Sequence, residues 1–146
     1  MKQKYLLLIL TLIIFGCENN AKEILPCNIN VDNGLTYVDG KLYTGTCNFM
    51  FNDTLLIKTR TYKRGKTVKE IGYYNDGSIE YIGEEKDGQI HGDFISYYPN
   101  GEISIEGQVN KGAFTGKWNY YDDDGSLNKT LYYNKNGEMT DSIFHK

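Results

Sequence analysis

The sequence predicts an all-β protein, an extended array of stacked β-hairpins in a single sheet. Three observations carry that reading. Residues recur at a fixed step of 24 positions, the apolar periodicity after residue 16 is two, and Asn-Gly and Asp-Gly pairs punctuate the chain at hairpin spacing. Gly77, Gly101 and Gly125 follow the step, as do Tyr73, Tyr97 and Tyr121, and Ile79, Ile103 and Leu127. Phe94 pairs with Trp118, Gly83 with Gly107, Gly88 with Gly112 and Gly92 with Gly116. Self-similarity at this period marks stacked units that each bury their apolar surface against the next.

The chain has 146 residues, enough for one domain or one short array. It opens on Lys2 and Lys4, followed by an uncharged apolar run of 11 residues, Tyr5 to Phe15. That run is about half of the roughly 20 residues a membrane-spanning helix needs, and it suits the apolar region of a signal peptide. The tetrad Ile14-Phe15-Gly16-Cys17 resembles a bacterial lipobox. The resemblance implies that residues 1–16 are removed, that Cys17 is lipidated and that the acyl chains hold the protein on the membrane of the cell envelope. Without Lys2 and Lys4, 14 basic residues face 19 acidic ones, a net charge of −5, so attachment through a basic patch is not expected.

Residues 17–33 read as a tether and residues 34–146 as the repeat domain. Lipidation of Cys17 leaves Cys27 and Cys47. In an oxidising compartment these two can close a loop of 21 residues, worth roughly 3 kcal/mol in the chain-entropy model. Two buried free thiols are the alternative, and spacing does not choose between them.

Within the array, Leu35 to Val38 lies between the turns Asn33-Gly34 and Asp39-Gly40. Leu42-Tyr43-Thr44-Gly45 echoes Ala113-Phe114-Thr115-Gly116. Residues 51–74 keep Leu55 and Tyr73 in register but lack several glycines. The unit from Gly77 to Gly101 reads as a strand from Ile79, a turn at Lys86-Asp87-Gly88, a strand from Asp93 to Tyr98 and a turn at Pro99-Asn100-Gly101. The next unit turns at Asn110-Lys111-Gly112 and Asp123-Asp124-Gly125. At the end, Gly137 to Asp141 echoes Gly88 to Gly92 with Asp141 in place of glycine. Degenerate outer units are expected where an array must be capped.

Tyr73-Tyr74-Asn75-Asp76-Gly77, then Gly88 to Phe94 (GQIHGDF) and Gly112 to Trp118 (GAFTGKW), are similar to MORN-type repeats of the bacterial variety. Leu35-Thr36-Tyr37 with Leu42-Tyr43-Thr44-Gly45 resembles the opening of the YwqK family of toxin–antitoxin antitoxins. The resemblance spans about residues 34–144. It implies a single-sheet scaffold that binds a protein partner, a toxin in the antitoxin reading.

Several chemistries are disfavoured. A net charge of −3 offers no general attraction for nucleic acid. The only histidines, His91 and His145, stand 54 residues apart, so no metal site or His-based catalysis is expected. Asp122-Asp123-Asp124-Gly125 lacks the alternating ligands of a calcium loop and reads as a turn. Glu84, Glu85 and Glu106 read as strand-face residues, not a glycosidase pair. No P-loop or nucleophile elbow is present, and no cofactor is expected.

The candidate binding residues are aromatic: Phe94, Trp118 and Tyr120 on one face, and Tyr97 and Tyr121 on the other. Rigid aromatic anchors dominate protein interfaces, and residues 24 apart should stand side by side as a strip. The alternative is that both sets only brace the sheet. The reading is a non-enzymatic, lipid-anchored envelope protein that binds a protein partner, with a structural protein that bridges or spaces envelope components as its rival. On the lipobox reading, a fatty-acid probe should label the wild-type protein and not Cys17→Ser, and equal labelling of both would remove the lipid anchor.

Overall fold

A computed structural model describes residues 28–145. The described residues form twelve strands and no helix. Strands β1 (Asn30–Asp32), β2 (Leu35–Val38) and β3 (Lys41–Leu42) make a small three-stranded sheet. The rest form one nine-stranded antiparallel sheet, in which each strand pairs with its neighbours in sequence. Its strands are β4 (Gly45–Phe51), β5 (Leu55–Lys63), β6 (Lys66–Tyr73), β7 (Ile79–Lys86), β8 (Gln89–Tyr97), β9 (Ile103–Asn110), β10 (Ala113–Tyr121), β11 (Leu127–Tyr133) and β12 (Met139–Phe144). The all-β array of stacked hairpins expected from the 24-residue step is present.

Two boundaries differ from expectation. Residues 30–32, placed in the tether by sequence, are strand β1, because the turn at Asn33-Gly34 pairs them with β2. The first echo of the repeat, Leu35 to Leu42, does not join the large sheet. It packs against the β5–β6 turn, where Thr36 N–H donates to Gly65 O at 2.8 Å and Gly65 N–H donates to Tyr43 O at 2.7 Å.

The two ends of the hairpins use different turns. At one end, Arg64-Gly65, Asp87-Gly88 and Lys111-Gly112 all have positive φ at both positions, the tight hairpin turn whose twist matches the strands. At the other end the chain makes a wider turn with the same two bonds each time. Tyr74 N–H donates to Ser78 O and Gly77 N–H to Tyr74 O, both at 2.9 Å. The pattern recurs at Tyr98 to Glu102, Asp122 to Ser126 and Asn134 to Glu138. Asp76, Asn100 and Asp124 cap these turns by accepting the N–H two residues on. The run of three aspartates is therefore a turn, as its sequence suggested.

A one-layer sheet has no second layer to bury its side chains, so its rings lie across the backbone of neighbouring strands. Phe94 stands opposite Gly83 on β7, and a Cβ at Gly83 would come within 3.4 Å of its ring. Trp118 covers Gly107 on β9, where a Cβ would fall into the indole. Tyr81 covers Gly72 in the same way. This accounts for the step shared by Gly83 and Gly107. The mid-strand glycine is the floor and the aromatic residue is the lid.

Gly107→Ala should therefore cost about 1–3 kcal/mol by overpacking. The cost should shrink when Trp118→Ala is present, because the three atoms nearest the added Cβ all belong to that ring. Denaturant melts of the two single variants and the double variant measure the coupling.

Candidate functional site

The repeated bulges set which rings are covered. Between β7 and β8 the register jumps: β8 takes four steps, Ile90 to Phe94, against two on β7, Glu85 to Gly83. Gly92, with φ of 109°, sits inside that bulge and supplies a conformation other residues rarely adopt. In β10 the same bulge lies between Thr115 and Asn119 and brings Phe114 back over Trp118. The Phe114 and Trp118 rings stack with centroids 3.9 Å apart. Phe94 lies 6.0 Å from Trp118, Tyr81 lies 6.0 Å from Phe94, and Tyr133 meets Phe114 edge-on at 5.5 Å. The Trp118 Nε1–H donates to Gln108 O at 3.1 Å.

The structure thus joins Phe94 and Trp118 in one aromatic strip, as the 24-residue step implied. Within the strip Phe94 is half-exposed and Trp118 is sealed. Trp118 is 0% exposed and its N–H is already paired, so it is core and has no surface to offer a partner. Tyr120 lies on the same face, opposite Lys129, whose Nζ is 4.7 Å from the ring centroid. Burial, helped by a hydrogen bond with Tyr133, pushes the Tyr120 hydroxyl up to about 12. Phe114, 40% exposed, is the outer ring of the strip and was not among the sequence candidates. The available signal was the echo of Tyr43 at its position, since Tyr43 also packs on a buried ring, that of Tyr62, at 5.6 Å.

Tyr97 and Tyr121 fall on the opposite face, as alternation required. Tyr121 OH donates to Glu106 Oε1 at 2.6 Å, and Asn119 Nδ2 donates to the same oxygen at 2.9 Å. These two bonds hold the Glu106 carboxyl below its usual range. Thr130 Oγ1 continues the row, donating to Asn119 Oδ1 at 3.1 Å, and His145 Nε2 lies 3.1 Å from the Thr130 hydroxyl. A shallow open depression beside this row is lined by Asp93, Ile95, Gln108 and Lys117. The backbone under both tyrosines is pinned by the preceding unit: Tyr74 OH donates to Tyr97 O at 2.7 Å and Tyr98 OH to Tyr121 O at 2.8 Å. His91 lies in strand β8, not in a turn, and its Nδ1 accepts the Lys111 N–H at 3.4 Å.

A third cluster was not visible in the sequence. On the aromatic face, Glu70 accepts from Arg60 Nε at 2.5 Å and from Tyr81 OH at 2.5 Å, with Lys58 Nζ at 3.4 Å. Arg60 Nε also lies 3.9 Å from Glu85. Burial works against the Glu70 carboxylate, but the bonds from Tyr81 and Arg60 outweigh it and hold its pKa below the usual value. Burial raises the Glu85 carboxyl, with Arg60 opposing and Glu70 adding to the rise. Glu70 is committed to Arg60 on β5 and Tyr81 on β7, so it binds strands β5, β6 and β7 together.

Cys47 on β4 is 0% exposed and disulfide-bonded. Cys17 and Cys27, together with residues 1–16 and most of the expected tether, lie outside the described residues.

No family model matches the chain, and no curated protein matches it. Among solved structures, one match is a crystal structure of a GtfA/B complex bound to UDP and GlcNAc. It shares 14% identity over 67% of this chain and 22% of that one, with a TM-score of 0.30, and a likeness at that level carries no argument.

Opposite pKa shifts give Glu70 and Glu85 opposite pH effects. The Glu70 contribution is full above the ordinary value of 4.5 and is lost as pH falls through its lower folded value. The Glu85 charge costs stability, and the cost is relieved as pH falls through its raised folded value towards the ordinary one. At pH 7, Glu70→Gln should lower stability by about 1–3 kcal/mol and Glu85→Gln should raise it. Thermal melts should show both differences shrinking in acid.

Proposed function

We propose that this protein is a lipid-anchored, non-enzymatic scaffold of the bacterial cell envelope, a MORN-type repeat protein that holds a protein partner by surface contact. On the resemblance of its opening to the YwqK antitoxins, the partner is a toxin that it masks. The N-terminal charge, apolar run and Cys17 support the anchor. A Cys27–Cys47 bridge would tie the tether to the first strand of the large sheet.

The observation that carries the binding reading is the division of labour between the two faces. One face spends its aromatic residues on packing, with Trp118 sealed under Phe114. The other keeps Tyr97 and Tyr121 half-exposed on a pinned backbone beside a row of polar groups. Tyrosines held rigid in this way offer large contact area at low entropic cost. The contact surface is therefore assigned to the face of Tyr97 and Tyr121, and the aromatic strip supports it from behind.

The test is capture of the anchored protein from native membranes. Wild type should retain one specific protein, and Tyr97→Ala with Tyr121→Ala should lose it while remaining folded, with melting lowered no further than by Tyr121→Phe with Tyr97→Ala, which also lacks the Glu106 bond. Interface hot spots typically cost about 2–4 kcal/mol each when truncated. Undiminished capture by the double variant would move the contact elsewhere, and absence of any stoichiometric partner would remove the reading.

A further inference from the structure

We infer that Asn33-Gly34, in the turn between β1 and β2, is a site of spontaneous modification, at which the Asn33 amide closes on the Gly34 nitrogen and is hydrolysed to aspartate or isoaspartate. The inference goes beyond the scaffold reading and does not depend on it.

The chain contains three Asn-Gly pairs, Asn33-Gly34, Asn100-Gly101 and Asn136-Gly137. In each the glycine leaves its nitrogen unshielded by a side chain, so as sequence the three are equivalent. The fold makes them unequal. At Asn100 both ends of the side-chain amide are held: Oδ1 accepts the Glu102 N–H at 3.0 Å and Nδ2 donates to Asp123 O at 2.6 Å. The attacking nitrogen is held as well, because Gly101 N–H donates to Tyr98 O at 2.9 Å. Asn136 is exposed, but Gly137 N–H donates to Asn134 O at 3.1 Å. Asn33 has neither restraint. Its amide makes one exposed contact, Nδ2 to Asp32 Oδ2 at 3.3 Å, and the Gly34 N–H has no partner among the described residues.

Attack also requires the backbone at Asn33 to rotate out of its turn conformation, with φ of 48°. The surroundings make that rotation easy. β1 is three exposed residues, and among the described strands it pairs with β2 alone. Such an element opens at little cost. Asn100 and Asn136 instead join strands of the nine-stranded sheet, β8 to β9 and β11 to β12.

The chemistry needs only water. The Gly34 N–H proton passes to water, and the nitrogen bonds to Asn33 Cγ. The Cγ–Nδ2 bond breaks, water returns a proton to the departing nitrogen, and ammonia leaves. Water then opens the cyclic imide. Cleavage of the Cγ–N bond gives aspartate, and cleavage of the bond from N to the Asn33 main-chain carbonyl carbon gives isoaspartate. Either product sets a carboxylate beside Asp32. Isoaspartate also lengthens the main chain within a two-residue turn, so β1 separates from β2.

The test is to age full-length protein in mildly alkaline heavy-oxygen water and map the label by peptide mass spectrometry. A hydrogen bond that must break before attack slows the step by about tenfold. Asn33 should therefore take up label at least about tenfold faster than Asn100, with Asn136 between them. In denaturant the three rates should converge. Asn33 reacting no faster than Asn100 in folded protein would overturn the inference. So would the same order of rates in denaturant, because sequence alone would then account for it. Hydrogen exchange of the isoaspartate form should quicken over residues 30–38 and stay unchanged over residues 79–133. Unchanged exchange over residues 30–38 would overturn the separation of β1.

Discussion

The contact between an aromatic ring and a glycine on the next strand is the interaction on which this structure depends. A sheet in one layer cannot bury its side chains against a second sheet or a helix. Trp118 over Gly107, Phe94 against Gly83 and Tyr81 over Gly72 provide apolar burial within the layer itself. The bulge at each long strand completes the arrangement by folding Phe114 over the indole. Strand cohesion then needs little else on that side, and the Arg60–Glu70–Tyr81 cluster supplies the remainder where β5, β6 and β7 meet.

Much of this was legible because the constraints are local and repeat. Lys111-Gly112 announces a tight turn through its backbone requirements alone. The shared step of Gly107 and Trp118 announces that the two positions depend on one another, although not that they touch. Which face meets solvent was not legible. Period-two alternation separates Phe94 from Tyr97 without saying which is covered, and Trp118 is covered by a residue only four positions earlier through a bulge that alternation cannot represent. The ionic cluster was hidden for another reason. Arg60, Glu70 and Glu85 are joined by register between three strands, and Glu85 resembled any other exposed strand glutamate. β1 was missed because Asn30 to Asp32 has no apolar alternation and is recruited by the turn that follows it.

The two faces also differ in how they tolerate change. On the aromatic face a substitution is felt by the neighbouring strand at once, since ring and glycine are matched. On the face of Tyr97 and Tyr121 the hydrogen bonds run along a row, Glu106 to Asn119 to the buried Thr130. Half-exposed side chains outside that row can vary without disturbing the aromatic packing behind them.

The even step of the array makes the molecule adjustable in reach. Neighbouring strands lie about 4.8 Å apart, so one 24-residue unit, two strands, lengthens the sheet by about 10 Å. Both of its turns and its ring-on-glycine contact travel with the unit, and the Tyr74–Tyr97 and Tyr98–Tyr121 bonds reach only the next unit. Gain or loss of a whole unit by duplication or deletion within the gene therefore alters how far the sheet extends and leaves the remaining joints as they were. Length can be selected independently of surface chemistry.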